Sequence, residues 1–213
     1  MERLINGYRR FRSEQWPRER DRFERLAQGQ EPQALVIACS DSRVDPSMVF
    51  DAAPGELFVV RNVANLVPPF APDAAYHGTS AAIEFAVRAL HVPNVIVLGH
   101  GSCGGVQALL EGAPPSVSDF VGQWMKIGEP ARQRALAGPH AHDRQQTCEQ
   151  EIVRLSLDNL LSFRWVREAV EARRLRLWGC HFDIRTGLLQ MIGPDNRFAP
   201  ISETLGSSQN ERG

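Results

Sequence analysis

Three side chains that could bind a metal follow two apolar runs of the sequence. Cys39 comes directly after residues 34–38, and His100 and Cys103 follow residues 95–98. Short aliphatic runs that end in Gly, Ser and Asp are typical of buried parallel strands that lead into loops. Ligands of open α/β sheets bind in the crevice beyond the carboxyl ends of such strands. The pattern therefore predicts that the three side chains meet at one edge of a sheet.

Two thiolates and one imidazole form a donor set that suits zinc. They supply three ligands of a tetrahedral site and leave the fourth position for water, as in catalytic zinc sites. The spacing of Cys103, three residues after His100, favours this interpretation over that of isolated side chains. The residues therefore predict one zinc ion per chain.

Each residue also has a plainer interpretation. Cys39 alone could be a small buried apolar residue, and His100 alone could be an ordinary loop histidine. Asp41 and Arg43, which follow Cys39 closely, could form a structural ion pair. The remaining cysteines, Cys148 and Cys180, are expected in the core. The remaining histidines are expected at the surface or in loops: His77, His91, His140, His142 and His181.

The same residues leave two other classes of protein to compare with a zinc enzyme. A cysteine phosphatase needs an Arg six residues after its nucleophile, but Asp45 and Leu109 stand at that distance from Cys39 and Cys103. A non-catalytic zinc module would close the site with a fourth protein ligand, and Asp41 could supply it. Zinc content together with an activity assay distinguishes these possibilities.

Composition excludes several functions and favours a cytoplasmic protein. The chain has 213 residues, with 24 Lys and Arg against 25 Asp and Glu, so nothing indicates a nucleic-acid or membrane surface. No stretch is long and apolar enough to span a membrane. Four cysteines in a chain of this length do not form a disulfide scaffold. A reducing cytoplasm is the expected location.

Alternating strand and helix patterns predict the α/β class. We expect a mainly parallel sheet of about four strands with an antiparallel edge strand, flanked by helices. Residues 1–29 are predicted to form an N-terminal helical arm, with a break at Trp16 and Pro17. Residues 30–205 form the zinc-binding domain, and residues 206–213 form a loose tail. The apolar face of the arm could cover a neighbouring subunit or pack on its own domain.

Three motifs resemble the signature of the β-class carbonic anhydrases. They are CSDSR at residues 39–43, RNVAN at residues 61–65 and HGSCGG at residues 100–105, and the resemblance spans about residues 5–195. It implies zinc bound by Cys39, His100 and Cys103. It also implies reversible hydration of carbon dioxide to bicarbonate and a proton, and a homodimer or a dimer of dimers with shared active sites.

The resemblance identifies Asp41 and Arg43 as a catalytic dyad. Zinc lowers the pKa of bound water, and two thiolates should leave that water less acidic than three imidazoles would. Asp41 can accept a hydrogen bond from the resulting hydroxide and orient it. Arg43 can hold the carboxylate with two parallel hydrogen bonds and keep it ionised.

The plant-type branch of the family supplies further expectations about substrate binding. Gln30 matches a glutamine that reaches into the active site of the partner subunit. Phe58, Val63 and Tyr76 match residues that line the apolar pocket for carbon dioxide. Apart from the resemblance, the backbone amide of Gly104 has no side chain in its way and could bind an oxygen of the product. Sharing residues across the subunit boundary would make the dimer necessary for activity.

The sequence departs from the family members that bicarbonate inhibits. Those members bind an extra bicarbonate with a Trp, an Arg and a Tyr. Here Arg61 is present, but Val36 and Phe182 stand at the other two positions and offer no hydrogen-bond donor. We therefore expect a site that is always open, with water on the metal and Asp41 paired to Arg43.

Overall fold

A six-stranded sheet forms the centre of the protein, with strand order β2-β1-β3-β4-β5-β6. We describe it from a computed structural model, which covers residues 1–73, 75–117, 119–138 and 143–201. The first four strands in this order are parallel, and β5 and β6 extend the sheet antiparallel. The strands are β1 Ala34–Cys39, β2 Leu57–Asn62, β3 Asn94–His100, β4 Arg176–Phe182, β5 Leu189–Ile192 and β6 Phe198–Pro200.

The sheet confirms the predicted fold class and adds one strand to it. Four parallel strands and an antiparallel edge were expected, whereas β6 was not. β6 is only three residues long and ends in Pro200, so its sequence carries almost no strand pattern. It is the edge strand of the sheet, where the missing N–H of a proline can face away from the neighbouring strand.

Nine α-helices surround the sheet in the described residues. They are α1 Glu2–Arg10, α2 Trp16–Leu26, α3 Pro46–Val49, α4 Gly78–Glu84, α5 Gly104–Glu111, α6 Val121–Met125, α7 Glu129–Ala137, α8 Arg144–Ser162 and α9 Arg164–Glu171. None of these helices is long and apolar enough to cross a membrane. The predicted tail at 206–213, His140 and His142 lie outside the described residues.

The central strand β1 is apolar along its whole length because both of its faces are buried in apolar clusters. All six residues of β1 are buried, which explains why its sequence is a continuous apolar run without alternation. Two glycines let α8 approach the sheet closely. A Cβ at Gly99 would lie 2.7 Å from Val153, and one at Gly179 would lie 2.9 Å from Leu157. Close packing of α8 therefore depends on these strand glycines.

The N-terminal arm contains the two helices that we expected. α2 begins at Trp16 with Pro17 in its first turn, where a missing backbone N–H leaves no hydrogen bond unmade. A π-helical segment, Phe11–Gln15, joins α1 to α2. The ring centroids of Phe11 and Phe23 are 6.4 Å apart, which is too close for two residues on one straight helix, so the arm bends at this segment. The structure describes both helices in full, and none of their side chains is buried.

Candidate metal centre

Parallel strands bring the predicted metal ligands to one edge of the sheet. β1 ends at Cys39 and β3 ends at His100, and the two strands are hydrogen-bonded neighbours. Cys103 follows in the loop after β3 and is the residue that precedes α5. Because both strands run in the same direction, their carboxyl ends deliver the three side chains to one place, as the sequence predicted.

The donor atoms of Cys39, His100 and Cys103 converge. All three lie within 4.8 Å of one another, and the two Sγ atoms are 3.9 Å apart. His100 Nδ1 donates a hydrogen bond to the Gly101 carbonyl at 2.9 Å, which fixes the ring and leaves Nε2 free to bind a metal. His100 Nε2 is buried and has no hydrogen-bond partner among the described residues. An unpartnered nitrogen between two thiols fits a zinc site.

The electrostatics of Cys39 favour a cation. The hydrogen bond from the Cys103 thiol lowers the pKa of Cys39 to about 4, against the opposing effect of burial. The same shared proton raises the pKa of Cys103. Burial lowers the pKa of His100, but the neighbouring Cys39 thiolate outweighs burial, so the pKa of His100 is raised. A buried thiolate of this kind is the form that binds metals.

Asp41 lies beside the ligands and is held by Arg43. Asp41 Oδ1 accepts from the backbone N–H and Nε of Arg43, both at 2.9 Å, and Oδ2 accepts from a terminal guanidinium nitrogen at 2.7 Å. These hydrogen bonds lower the pKa of Asp41 far below its usual value. Asp41 Oδ2 is 3.9 Å from His100 Nε2, beyond hydrogen-bond distance. Asp41 is therefore paired with Arg43, as expected, close to the group of ligands.

Arg61 stabilises the loop after β1, a role that the sequence did not predict. Its guanidinium donates to the carbonyls of Cys39, Asp41 and Val44 at 2.9, 2.7 and 2.9 Å. These bonds cross from the end of β2 and fix the loop that carries the first ligand and the dyad. Because its nitrogens are occupied, Arg61 is poorly placed to bind an extra anion.

Val63 and Gly104 lie next to the ligands. Val63 packs against the apolar cluster that contains Cys39 and Cys103. Trp124 Nε1 donates to the Val63 carbonyl at 2.8 Å and so fixes its position. Gly104 is the first residue of α5, and a Cβ built there would meet no atom within 4 Å. Both positions agree with the predicted substrate site, although their roles stay predictions.

The other predicted pocket residues do not reach the ligands of their own chain. Phe58 pairs with Leu35 near the start of β1, packs in the main core and contacts Phe85, with ring centroids 5.8 Å apart. Gln30 is exposed in the segment before β1. Tyr76 is fully exposed. Whether these residues serve the active site of a partner subunit stays a prediction.

An apolar groove begins at Val63 and leads away from the ligands. Its volume is about 660 Å³, and Tyr76, Phe120, Trp124 and Ile127 are among the residues that line it. Phe120 is 85% exposed. None of the three ligands lines the groove, but Val63, Trp124 and Ile127 also pack against the apolar cluster that contains Cys39 and Cys103, so the groove adjoins that cluster.

His181 contradicts the surface or loop position predicted for it. It lies in β4, is buried, and its Nε2 is 3.1 Å from the Glu149 carboxylate. A buried carboxylate was not part of the predicted site, and the only sequence signal for it is an acidic residue beside the apolar stripe of α8. Cys148 and Cys180 are buried and unpaired, as predicted.

Comparison with known proteins identifies the class. The sequence profile described as "Carbonic anhydrase" matches residues 34–189, so this chain belongs to the carbonic anhydrase family. Within that family it is a β-class member. It is 35% identical over 207 residues to beta carbonic anhydrase 3 of Arabidopsis thaliana, which covers 94% of this chain and 80% of that protein. Members of this family are lyases, and β-class members use zinc.

Solved structures agree with this assignment. The β-carbonic anhydrase CcaA superposes with a TM-score of 0.88 at 33% identity, over 94% of this chain and 99% of that one. Tetrameric β-carbonic anhydrases of the fungus Sordaria macrospora superpose with a TM-score of 0.78 at 27% identity, over 94% of this chain and 98% of that one. The relatives therefore share both the fold and nearly the full length of the chain.

Proposed function

We propose that this protein hydrates carbon dioxide reversibly to bicarbonate and a proton, with Asp41 and Arg43 as its catalytic dyad. The observation that carries the proposal is the convergence of Cys39, His100 and Cys103 within 4.8 Å beside a carboxylate that Arg43 holds. A closed structural zinc site would instead place a fourth protein ligand in the group. Asp41 is engaged by Arg43 and is not a member of that group.

Each protein group has a distinct task in the reaction. Zinc held by Cys39, His100 and Cys103 would supply a hydroxide nucleophile near neutral pH, because the metal lowers the pKa of bound water. The Asp41 carboxylate would accept a hydrogen bond from this nucleophile and so orient it toward the substrate carbon. Arg43 keeps Asp41 ionised and fixes its orientation through two side-chain hydrogen bonds. The Gly104 amide, at the N-terminus of α5, stabilises the negative charge that develops on a substrate oxygen.

The apolar surface at Val63 suits a small substrate without charge. Carbon dioxide has no hydrogen-bond donor, so an apolar wall excludes water without leaving a polar group of the substrate unpaired. Bicarbonate is charged and is released from such a wall. We therefore assign Val63 to the binding of carbon dioxide, and Trp124 to holding Val63 in place.

The decisive test compares zinc content with carbon dioxide hydration, measured by stopped flow with a pH indicator. The purified protein should bind one zinc per chain and catalyse hydration. Cys103→Ser should lose both metal and activity, whereas Cys148→Ser should keep both, since Cys148 is buried but is not one of the three grouped ligands. A zinc-loaded protein that does not hydrate carbon dioxide would refute the proposed function.

We also propose a homodimer, alone or within a dimer of dimers, in which Gln30, Phe58 and Tyr76 serve the partner's active site. Two observations support it. None of the side chains of α1 and α2 is buried, and Leu4 and Tyr8 are 62% and 64% exposed. A tetrameric state is known for the Sordaria macrospora relatives. We keep the cytoplasm as the proposed location, where both ligand thiols stay reduced.

Mixing two inactive variants tests the shared site. Gln30→Ala and Asp41→Asn should each be nearly inactive as homodimers. After subunit exchange, a mixed dimer has one site with both native residues, so the mixture should recover about a quarter of the wild-type rate. If Gln30 serves its own chain, no site in a mixed dimer regains both residues. Absence of recovery, with exchange verified by mass spectrometry, would contradict sharing.

A further inference from the structure

A buried carboxylate lies directly behind the ligand Cys103. Glu149, on α8, is only 2% exposed. Its Oε1 accepts hydrogen bonds from the backbone N–H of Cys103 at 2.9 Å and from Gln145 Nε2 at 2.7 Å. Its Oε2 accepts from His181 Nε2 at 3.1 Å. Three donors converge on one side chain that can only accept when it is ionised, so the environment is built for a carboxylate.

The Cys103 backbone is held on both sides by the same helix. Gln145 Nε2 donates to the Cys103 carbonyl at 3.0 Å, while Glu149 accepts the Cys103 N–H. Gln145 and Glu149 are four residues apart on α8 and therefore lie on one face. On the other side of the loop, Arg43 donates to the Ser102 carbonyl at 2.9 Å. The loop between His100 and α5 is thus fixed by groups from two other elements.

The loop needs such restraint because its conformation is strained. Ser102 has a φ of 56°, in the left-handed region that a residue with a side chain seldom adopts. Such a conformation persists only where surrounding contacts over-determine it. A buried charge is itself unfavourable compared with an apolar residue of the same size, so fold stability alone gives no reason for Glu149.

We propose that Glu149 and Gln145 are positioning residues that hold the Cys103 sulfur in its place for the metal. Glu149 fixes the N–H of the ligand residue, Gln145 fixes its carbonyl, and His181 holds the second oxygen of Glu149. Hydrogen-bond partners of metal ligands in other proteins have large effects, since their removal lowers metal affinity or activity about 10- to 100-fold. The proposal rests on the assignment of Cys103 as a zinc ligand.

The test measures metal binding in Gln145→Ala and Glu149→Gln, with Gln146→Ala as the matched control. Gln146 is an exposed neighbour on the same helix. Glu149→Gln keeps the shape of the side chain but directs an NH₂ group toward donors. Zinc affinity is measured by competition with a chromogenic chelator, and the cobalt-substituted protein reports thiolate coordination through its visible absorption.

We expect zinc affinity to fall at least about tenfold in Gln145→Ala and further in Glu149→Gln, with shifted cobalt–thiolate bands in both. Gln146→Ala should match the wild type. Circular dichroism and thermal melting verify the fold, and Gln145→Ala decides the question if Glu149→Gln does not fold.

Two results would overturn the positioning role. One is zinc affinity within twofold of the wild type for folded Gln145→Ala, with an unchanged cobalt spectrum. The other is an equal loss of affinity in the Gln146→Ala control. A wild-type protein that binds no zinc would instead overturn the proposed function as well, so the two failures are distinguishable.

Discussion

The contact between α5 and the loop after β2 gives a sharp prediction, because two adjacent glycines at the start of α5 have different surroundings. A Cβ at Gly105 would lie 2.7 Å from Val63 Cγ1, 3.1 Å from Ala64 Cβ and 3.3 Å from the Ala64 backbone nitrogen. A Cβ at Gly104 would meet no atom within 4 Å. Gly105→Ala should therefore be destabilising, and Gly104→Ala should not.

The size of the effect follows from what can move. Val63 is held through its carbonyl by Trp124, and Ala64 already has a φ of 63°, so neither can retreat without further strain. Overpacking of this kind costs about 1–3 kcal/mol of unfolding free energy. For a chain of this size that corresponds to a fall in Tm of roughly 3–10 °C. Gly104→Ala should leave the Tm unchanged or raise it slightly, since alanine favours helix over glycine.

The assay is urea and thermal unfolding of the zinc-loaded proteins, followed by stopped-flow hydration for Gly105→Ala. We expect Gly105→Ala to lose activity together with stability, because Val63 borders the ligand group. Equal Tm values for Gly105→Ala and Gly104→Ala would refute the reasoning, since they would show that the loop after β2 yields freely.

Two further predictions concern the dyad and its surroundings. Asp41→Asn should retain zinc yet lose at least about 100-fold in kcat, because an amide cannot accept the hydrogen bond of the hydroxide as a carboxylate does. A wild-type kcat in this variant would contradict the catalytic role of Asp41. Arg43 lowers the pKa of Asp41, so the stability that the pair contributes is present above the usual Asp pKa of about 3.9 and is lost only as the pH falls through the folded pKa. The Tm difference between wild type and Arg43→Ala should therefore be constant from about pH 5 to pH 8, and a difference that vanishes near pH 6 would contradict this origin.

The positions of the ligands could be predicted because the signals for them are local. The apolar runs before Cys39 and His100 are long enough to identify buried strands, and parallel strands place their carboxyl ends together. The pairing of Asp41 with Arg43 also follows from a spacing of two residues in one loop. Local patterns thus define both halves of the metal centre.

Other features depend on contacts between distant parts of the chain and were missed. His181 is buried because Glu149, 32 residues away, accepts its hydrogen bond, and neither residue type indicates burial alone. Nothing in the sequence near Arg61 indicates that its guanidinium donates to three carbonyls at the end of β1 and in the loop that follows it. Phe58 and Tyr76 show a further limit, since their proposed role depends on the arrangement of a second subunit, for which the sequence carries no local pattern.

The position of the ligands on two central strands also determines when the metal centre can form. Cys39 and Cys103 are 64 residues apart in the sequence. They meet only when β1 pairs with β3, although β2, α3 and α4 lie between these two strands in the chain. Non-local parallel pairing of this kind is slow in folding, so we expect the ligand group to be assembled late. Zinc that binds only the finished sheet should then leave the refolding rate unchanged and slow unfolding.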